Sequence, residues 1–278
     1  MAKKSTTYLL LVILLVAALI ILLVILKGRK QPNAEKTDPV RREQNTPPSS
    51  RDFDYLPLSA NTQIIRHKHF TLSYLEKHEQ AEWVAYELSG REVRGREERS
   101  DDFREDEKVR TGSASLSDYR GSGYDRGHLA PAGDMKFSEE AMSESFLLSN
   151  ISPQTPEFNR GIWRELEEQT REWALENGSL YVVSGPVFGK RSRRIGKNRV
   201  SVPQAYYKVL LDYTEPEIKA IAFLLPNKGT TKDMFHFAVP IDSVEKVTQI
   251  DFFPALPDQE EDRLERGVSV AEWIADPS

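Results

Sequence analysis

Three runs in the C-terminal half restrict the fold more than any other feature of the chain. "SLYVVSGPVF", "AYYKVLLDY" and "IKAIAFLLP" are rich in β-branched and aromatic residues and are bounded by Gly, Pro and Asn. Such runs are most simply neighbouring strands of one central sheet. The "TEPE" between the last two suits a tight antiparallel turn. Upstream, "FTLSYLEKH" and "AEWVAYELS" alternate in polarity around a polar link, as a β-hairpin does. "GREVRGREERSDDFREDEKV" is so polar that it must be a surface connection.

Helices are fewer. "SEEAMSESFLLSN" is a short candidate, and Pro156 to Glu176 a long one, with Thr155 as N-cap, Pro156 at the first helical position and Gly178 just past the end. The class is α+β, with a central, mainly antiparallel sheet flanked by helices. The tail "PDQEEDRLERGVSVAEWIADPS" suggests an acidic turn and a short terminal helix, and no internal repeat is visible.

The ends differ from this domain. Tyr8 to Leu26 carries no charge, and a helix of that length nearly spans a hydrocarbon core of about 30 Å. Residues 1–26 are therefore expected to form an N-terminal single transmembrane helix. A cleaved signal peptide fits less well, because "LKGRKQ" follows in place of a small-residue cleavage site. Residues 27–52, rich in Pro, Ser, Asn and charge, are expected to form a disordered linker, and residues 53–278 the folded domain. Lys27, Arg29 and Lys30 face Lys3 and Lys4 across the span, a charge bias toward keeping the domain cytoplasmic. With 278 residues, a net charge of −5 and no cysteine, the chain excludes disulfides, thiolate zinc sites and thiol nucleophiles. Any metal must sit on oxygen or imidazole.

The chemistry gathers in "RGSGYDRGHLAPAGDM", which reads as a Gly-rich loop holding a lone histidine, His128. His128 has a side chain whose ordinary pKa lies near working pH, so it can deprotonate a water. The long helix places Asn159, Trp163 and Glu167 at i, i+4 and i+8, within roughly 80° of arc. An amide oxygen and a carboxylate on one helical face suit Mg²⁺, which takes few protein ligands and keeps its waters. Arg126 and Arg99 suit phosphate charge through their forked guanidinium groups. Spacing alone does not bring loop and helix together. Taken singly, His128 could be structural, Asn159 a surface amide and Glu167 part of a solvated charged face, and Trp163 reads as core packing.

"RGSGYDRGHLAPAGDM" followed by "LSNISPQTPEFNRGIWRELE" resembles the DNA/RNA non-specific endonucleases of the ββα-metal (His-Me finger) class, over about Phe53 to Leu256. The resemblance implies a ββα-metal finger active site and a Mg²⁺-dependent endonuclease acting on DNA and RNA, with Mn²⁺ as a substitute ion. It implies His128 as general base, Asn159 as the direct metal ligand, and Glu167 acting on the metal through water. It further implies Asn150 as a support of the site, Arg126 as the motif arginine and Arg99 as the arginine at the scissile phosphate, while Asp125 is expected to position the loop. The products would carry 5′-phosphate and 3′-hydroxyl ends.

Such an enzyme facing the cytoplasm would attack its own genome. The domain is therefore expected outside the cytoplasm, on a single-pass anchor, against the charge bias. The rival is a catalytically inactive, membrane-tethered nucleic-acid-binding protein of the same fold; the joint presence of His128, Asn159 and Glu167 argues against it. "KRSRRIGKNR" is the most basic stretch, and Lys190, Arg191, Arg193 and Arg194 would track phosphates as a loop. His67 and His69 would share one face of a strand, but a two-histidine metal site is rejected for want of a third ligand. His236 reads as a half-buried strand residue. Homodimerisation and an inhibitor protein are left open.

Overall fold

The computed structural model describes residues 53–61, 63–214 and 216–274. The expected transmembrane helix and linker lie outside the described residues. Among the described residues no helix is long and apolar enough to cross a membrane.

The three apolar runs become β6 (Ser179–Val187), β9 (Ala205–Asp212) and β10 (Lys219–Pro226), paired antiparallel with Tyr181 opposite Leu211 and Lys219 opposite Asp212. The "TEPE" turn falls between β9 and β10, with Glu215 outside the described residues. The expected hairpin is β2 (Thr71–Leu75) with β3 (Gln80–Ser89). With β1 (Ile64–Arg66) and β11 (Ala238–Val239) they form a seven-stranded sheet in the order β1-β2-β3-β6-β9-β10-β11, in which every pairing is antiparallel.

Alternation along the strands builds two cores. Tyr86, Val182, Tyr206, Leu210 and Phe223 face one side, where Trp163, Leu166 and Trp173 of the long helix cover them. Trp83, Val183, Tyr207, Val209 and Leu211 face the other, where Ile241, Val244 and Leu264 close the second layer. A sheet buried on both faces explains why its central strands read as continuous apolar runs rather than as alternating ones.

Several expectations are corrected. "DRGH" is not loop but β4 (Asp125–His128), paired antiparallel with β5 (Ile151–Gln154), so that His128 faces Ile151. The long helix is not uniform. It runs as a short α-turn (Pro156–Phe158), a π-helical segment (Asn159–Trp163) and a regular α-helix (Arg164–Asn177), with Gly161 at φ −106°, ψ −117°. Thr155 occupies the N-cap without a side-chain capping bond, and Gly178 ends the helix at φ +90°. "SEEAMSES" forms a helix only over Glu139–Ser145. The polar connection includes a short helix, Gly90–Val93, and buries Asp106 and Val109. His67 and His69 lie in the turn between β1 and β2, where His67 N donates to Phe70 O at 2.9 Å. His236 is exposed in a 3-10 turn, Met234–Phe237. The acidic tail is itself a helix, Asp258–Glu265, followed by a 3-10 turn, Val270–Trp273. The basic stretch contains a small hairpin, β7 (Arg194–Ile195) with β8 (Val200–Ser201).

Candidate active site

β4, β5 and the helix from Pro156 form a ββα unit against the main sheet. A four-residue polar strand has little propensity of its own, so β4 depends on pairing with β5. A Cβ at Gly127 would fall 2.1 Å from the Gln154 side chain, so any larger residue there would have to displace that side chain. Beyond the strand, the buried Asn150 clamps the chain: its Oδ1 accepts from Ala130 N at 2.9 Å, and its Nδ2 donates to Ala130 O at 2.9 Å and Ser145 O at 2.8 Å. Trp163 is core, as expected, at 0% exposure. It also donates from Nε1 to His128 O at 3.4 Å, tying the helix to the strand.

His128 is 8% exposed, and its Nε2 has no hydrogen-bond partner among the described residues. Phe146 meets the imidazole edge-on at 5.0 Å between centroids, and Phe103 lies at 5.7 Å. Each phenylalanine carries a guanidinium on its ring: Arg99 lies 4.7 Å from the Phe146 centroid and Arg126 4.0 Å from that of Phe103. The site is thus a histidine beside two aromatic rings, each with a cation over it. Burial, and then the charges of Arg99 and Arg126, push the imidazole down to about 3. It is neutral, the form a base needs.

Arg99, Arg126, Asp125 and Asn159 share a cleft of about 530 Å³ with Phe103 and Tyr124. Asp125 links strand to helix: its Oδ2 accepts from Asn159 Nδ2 at 2.9 Å, and its two oxygens take Arg160 Nε at 2.8 Å and Nη2 at 2.7 Å. With the amide nitrogen so held, Asn159 Oδ1 remains the acceptor. One neutral oxygen is a donor set that fits a hard cation keeping most of its waters. The carboxylate clusters close enough to hold an ion among the described residues lie elsewhere, at Asp242, Glu245, Asp251, Glu261 and Glu265.

Glu167 is half-buried two turns further along the helix. Burial pushes its carboxyl up to about 7, against the opposing charge of Lys208. Lys208, from β9, is fully buried, with Nζ donating to Ser184 Oγ at 2.7 Å and lying 4.9 Å from the Trp163 ring centroid. Burial lowers its pKa. A π-helical turn and the Gly161 kink lie between the two residues; Asn159 meets Asp125, and Glu167 lies in the field of Lys208, Asp134 and Arg171.

Of the basic stretch, Lys190, Arg191, Arg193 and Arg194 are exposed, and Arg193 reaches Tyr124 on the cleft. Of the two histidines set aside as metal ligands, His67 has its Nε2 2.9 Å from Asp106 Oδ2, which also accepts from Ser149 Oγ at 2.5 Å. Phe103, Phe146 and Lys208 were missed as site residues. Phe103 closes "RSDDF" after Arg99, a position that the arginine could have flagged. Phe146 and Lys208 sit in ordinary apolar runs with no local mark.

The sequence model described as DNA/RNA non-specific endonuclease matches residues 53–259. The chain is 35% identical over 207 residues to human mitochondrial endonuclease G, covering 69% of this chain and 70% of that protein. It is 40% identical over 206 residues to the mitochondrial nuclease EXOG of Danio rerio, covering 68% and 60%. A nuclease from Nostoc sp. is 33% identical over 207 residues, covering 70% and 74%. Among solved structures, a chain of the EndoG/EndoGI complex superposes with a TM-score of 0.68 at 30% identity, covering 72% of this chain and 89% of that one.

Proposed function

Because the chain belongs to the DNA/RNA non-specific endonuclease family, we propose that its cleft hydrolyses phosphodiester bonds with His128 as general base and a divalent metal held by Asn159. The observation that carries this reading is the Asp125 clamp, which orients the Asn159 amide in the same cleft as two arginines that flank a neutral, unpartnered histidine.

Asn159 Oδ1 would hold Mg²⁺, or Mn²⁺ in its place, with Glu167 reaching the ion through water. The ion supplies positive charge to the phosphate and the leaving 3′ oxygen. Arg99 and Arg126 bind the phosphate oxygens through their guanidinium groups. Phosphate binding offsets the two charges that depress His128, so the imidazole becomes more basic when substrate is present. The imidazole then takes the proton of the attacking water. Phe103 and Phe146 hold the ring and exclude other waters. Contacts confined to phosphate do not sense the 2′-hydroxyl, which is why one cleft would serve DNA and RNA.

The test is supercoiled plasmid and a folded RNA, each with Mg²⁺ and with EDTA, beside His128→Ala and Asn159→Ala. Metal-dependent cutting by the wild type alone supports both roles. A gel shift without cutting would favour the inactive binding protein. The membrane anchor and an extracytoplasmic domain belong to the same proposal; carbonate extraction and protease accessibility of the intact cell test them.

A further inference from the structure

Part of the cleft is built for something other than phosphate. Leu116 lines it and is 41% exposed. Tyr124, the residue before Asp125, lines it as well, half-buried, with the exposed Arg193 guanidinium 5.6 Å from its ring centroid. A leucine side chain and a tyrosine ring face offer an anion nothing, yet they share a cleft of about 530 Å³ with Arg99, Arg120 and Arg126.

The placement of Arg193 is built in. Asn198 donates from its backbone N to Asp118 Oδ1 at 2.9 Å and from Nδ2 to Asp118 Oδ2 at 2.8 Å. Gly196, at φ +65°, approaches Asp118 so closely that a Cβ would lie 2.2 Å from Oδ1. Ile195 and Val200 of the β7–β8 hairpin pack with Tyr119 and Ile151, and Tyr124 packs against that cluster. The hairpin is thus latched to the cleft independently of the Arg193–Tyr124 contact. At 5.6 Å, that contact is near the outer limit of a cation–π interaction, and an exposed arginine can leave the ring at little cost.

The geometry points to a nucleobase subsite, in which Tyr124 stacks on the face of an unpaired base next to the scissile phosphate and Leu116 packs against it. A duplex keeps its base faces stacked on one another, so only an unstacked base can use this wall. Stacking tolerates every base, which agrees with low sequence preference. The inference rests on the nuclease reading of the cleft.

The test uses the full chain and a labelled single-stranded DNA, the same strand folded into a hairpin duplex, and a copy with one central abasic position. Cleavage is mapped at each phosphate in Mg²⁺, and binding is measured by anisotropy in EDTA. Wild type is expected to cut the single strand faster than the duplex, with a dip at the phosphate beside the abasic position. Tyr124→Ala should flatten that dip and lower the single-strand to duplex ratio by about five- to a hundredfold, the worth of one stacked base. Tyr124→Phe should keep both. In EDTA, Tyr124→Ala should weaken single-strand binding without changing its salt slope, because no phosphate contact is lost. If Tyr124→Ala does not fold, Leu116→Ala at an exposed position should lower the same ratio. An even cleavage pattern across the abasic position, or an unchanged ratio in the variants, overturns the subsite. If wild type cuts no substrate in Mg²⁺, the nuclease reading itself falls.

Discussion

Replacing Asn150 by Ala should both destabilise the protein and disable its site. The side chain is fully buried and makes three hydrogen bonds, one accepted from Ala130 N and two donated to Ala130 O and Ser145 O. Alanine strands all three backbone groups. Each buried group left unpaired costs about 1–3 kcal/mol, and water entering the vacated space repairs part of the loss. The net cost is therefore about 3–5 kcal/mol, or a fall in Tm of roughly 6–20 °C for a domain of this size. Urea denaturation followed by tryptophan fluorescence measures it. Ala130 lies two residues after His128, so cleavage should also fall more than the unfolded fraction explains.

Asn150→Asp sharpens the test. It keeps the acceptor for Ala130 N but turns a carboxylate oxygen toward two carbonyls, so the folded state raises the new carboxyl's pKa. Its stability relative to wild type is then greatest below the ordinary carboxylate range and is lost as pH rises through the raised value. A cost below about 1 kcal/mol for Asn150→Ala, with cleavage intact, would refute the clamp.

Other outcomes follow from the same geometry. Asp125→Ala frees the Asn159 amide and should lower cleavage at least about tenfold while costing only about 1–2 kcal/mol of stability, measured by kinetics and melting in parallel. Lys208→Met removes the charge that holds Glu167 down, so the Glu167 carboxyl rises above about 7; the acid limb of the pH–rate profile should move to higher pH. His128→Ala should lose hydrolysis and keep nucleic-acid binding in a gel shift. Burial, and then Glu245 and Glu261, push Glu265 up to about 8, so its contribution to stability is present below about 4.5 and is lost as pH rises through about 8. Glu265→Gln should therefore gain on wild type by about 1–2 kcal/mol between pH 5 and pH 9 after solvent screening, read by denaturation at both pH values.

What the sequence determined by itself is whatever depends on neighbours along the chain. The apolar runs of β6, β9 and β10 and the β2–β3 hairpin were legible because burial imposes its pattern on consecutive residues. Pro156 and Gly178 marked the helix ends because φ is constrained locally there. The D-R-G-H block and Asn159 stood out because polar residues in those settings need a reason.

The tertiary structure decided the rest. β4 became a strand because β5 pairs with it from more than twenty residues away, and no local propensity announces that partner. The helix departs from α-geometry at Asn159–Trp163, which a period of 3.6 residues per turn does not foresee, and Glu167 came under Lys208. Phe103 and Phe146 reached His128, and a lysine lies buried beneath Trp163, through packing between distant segments. Periodicity carries information about one element at a time. An imidazole's charge state depends on which side chains surround it, and these come together only in the folded chain.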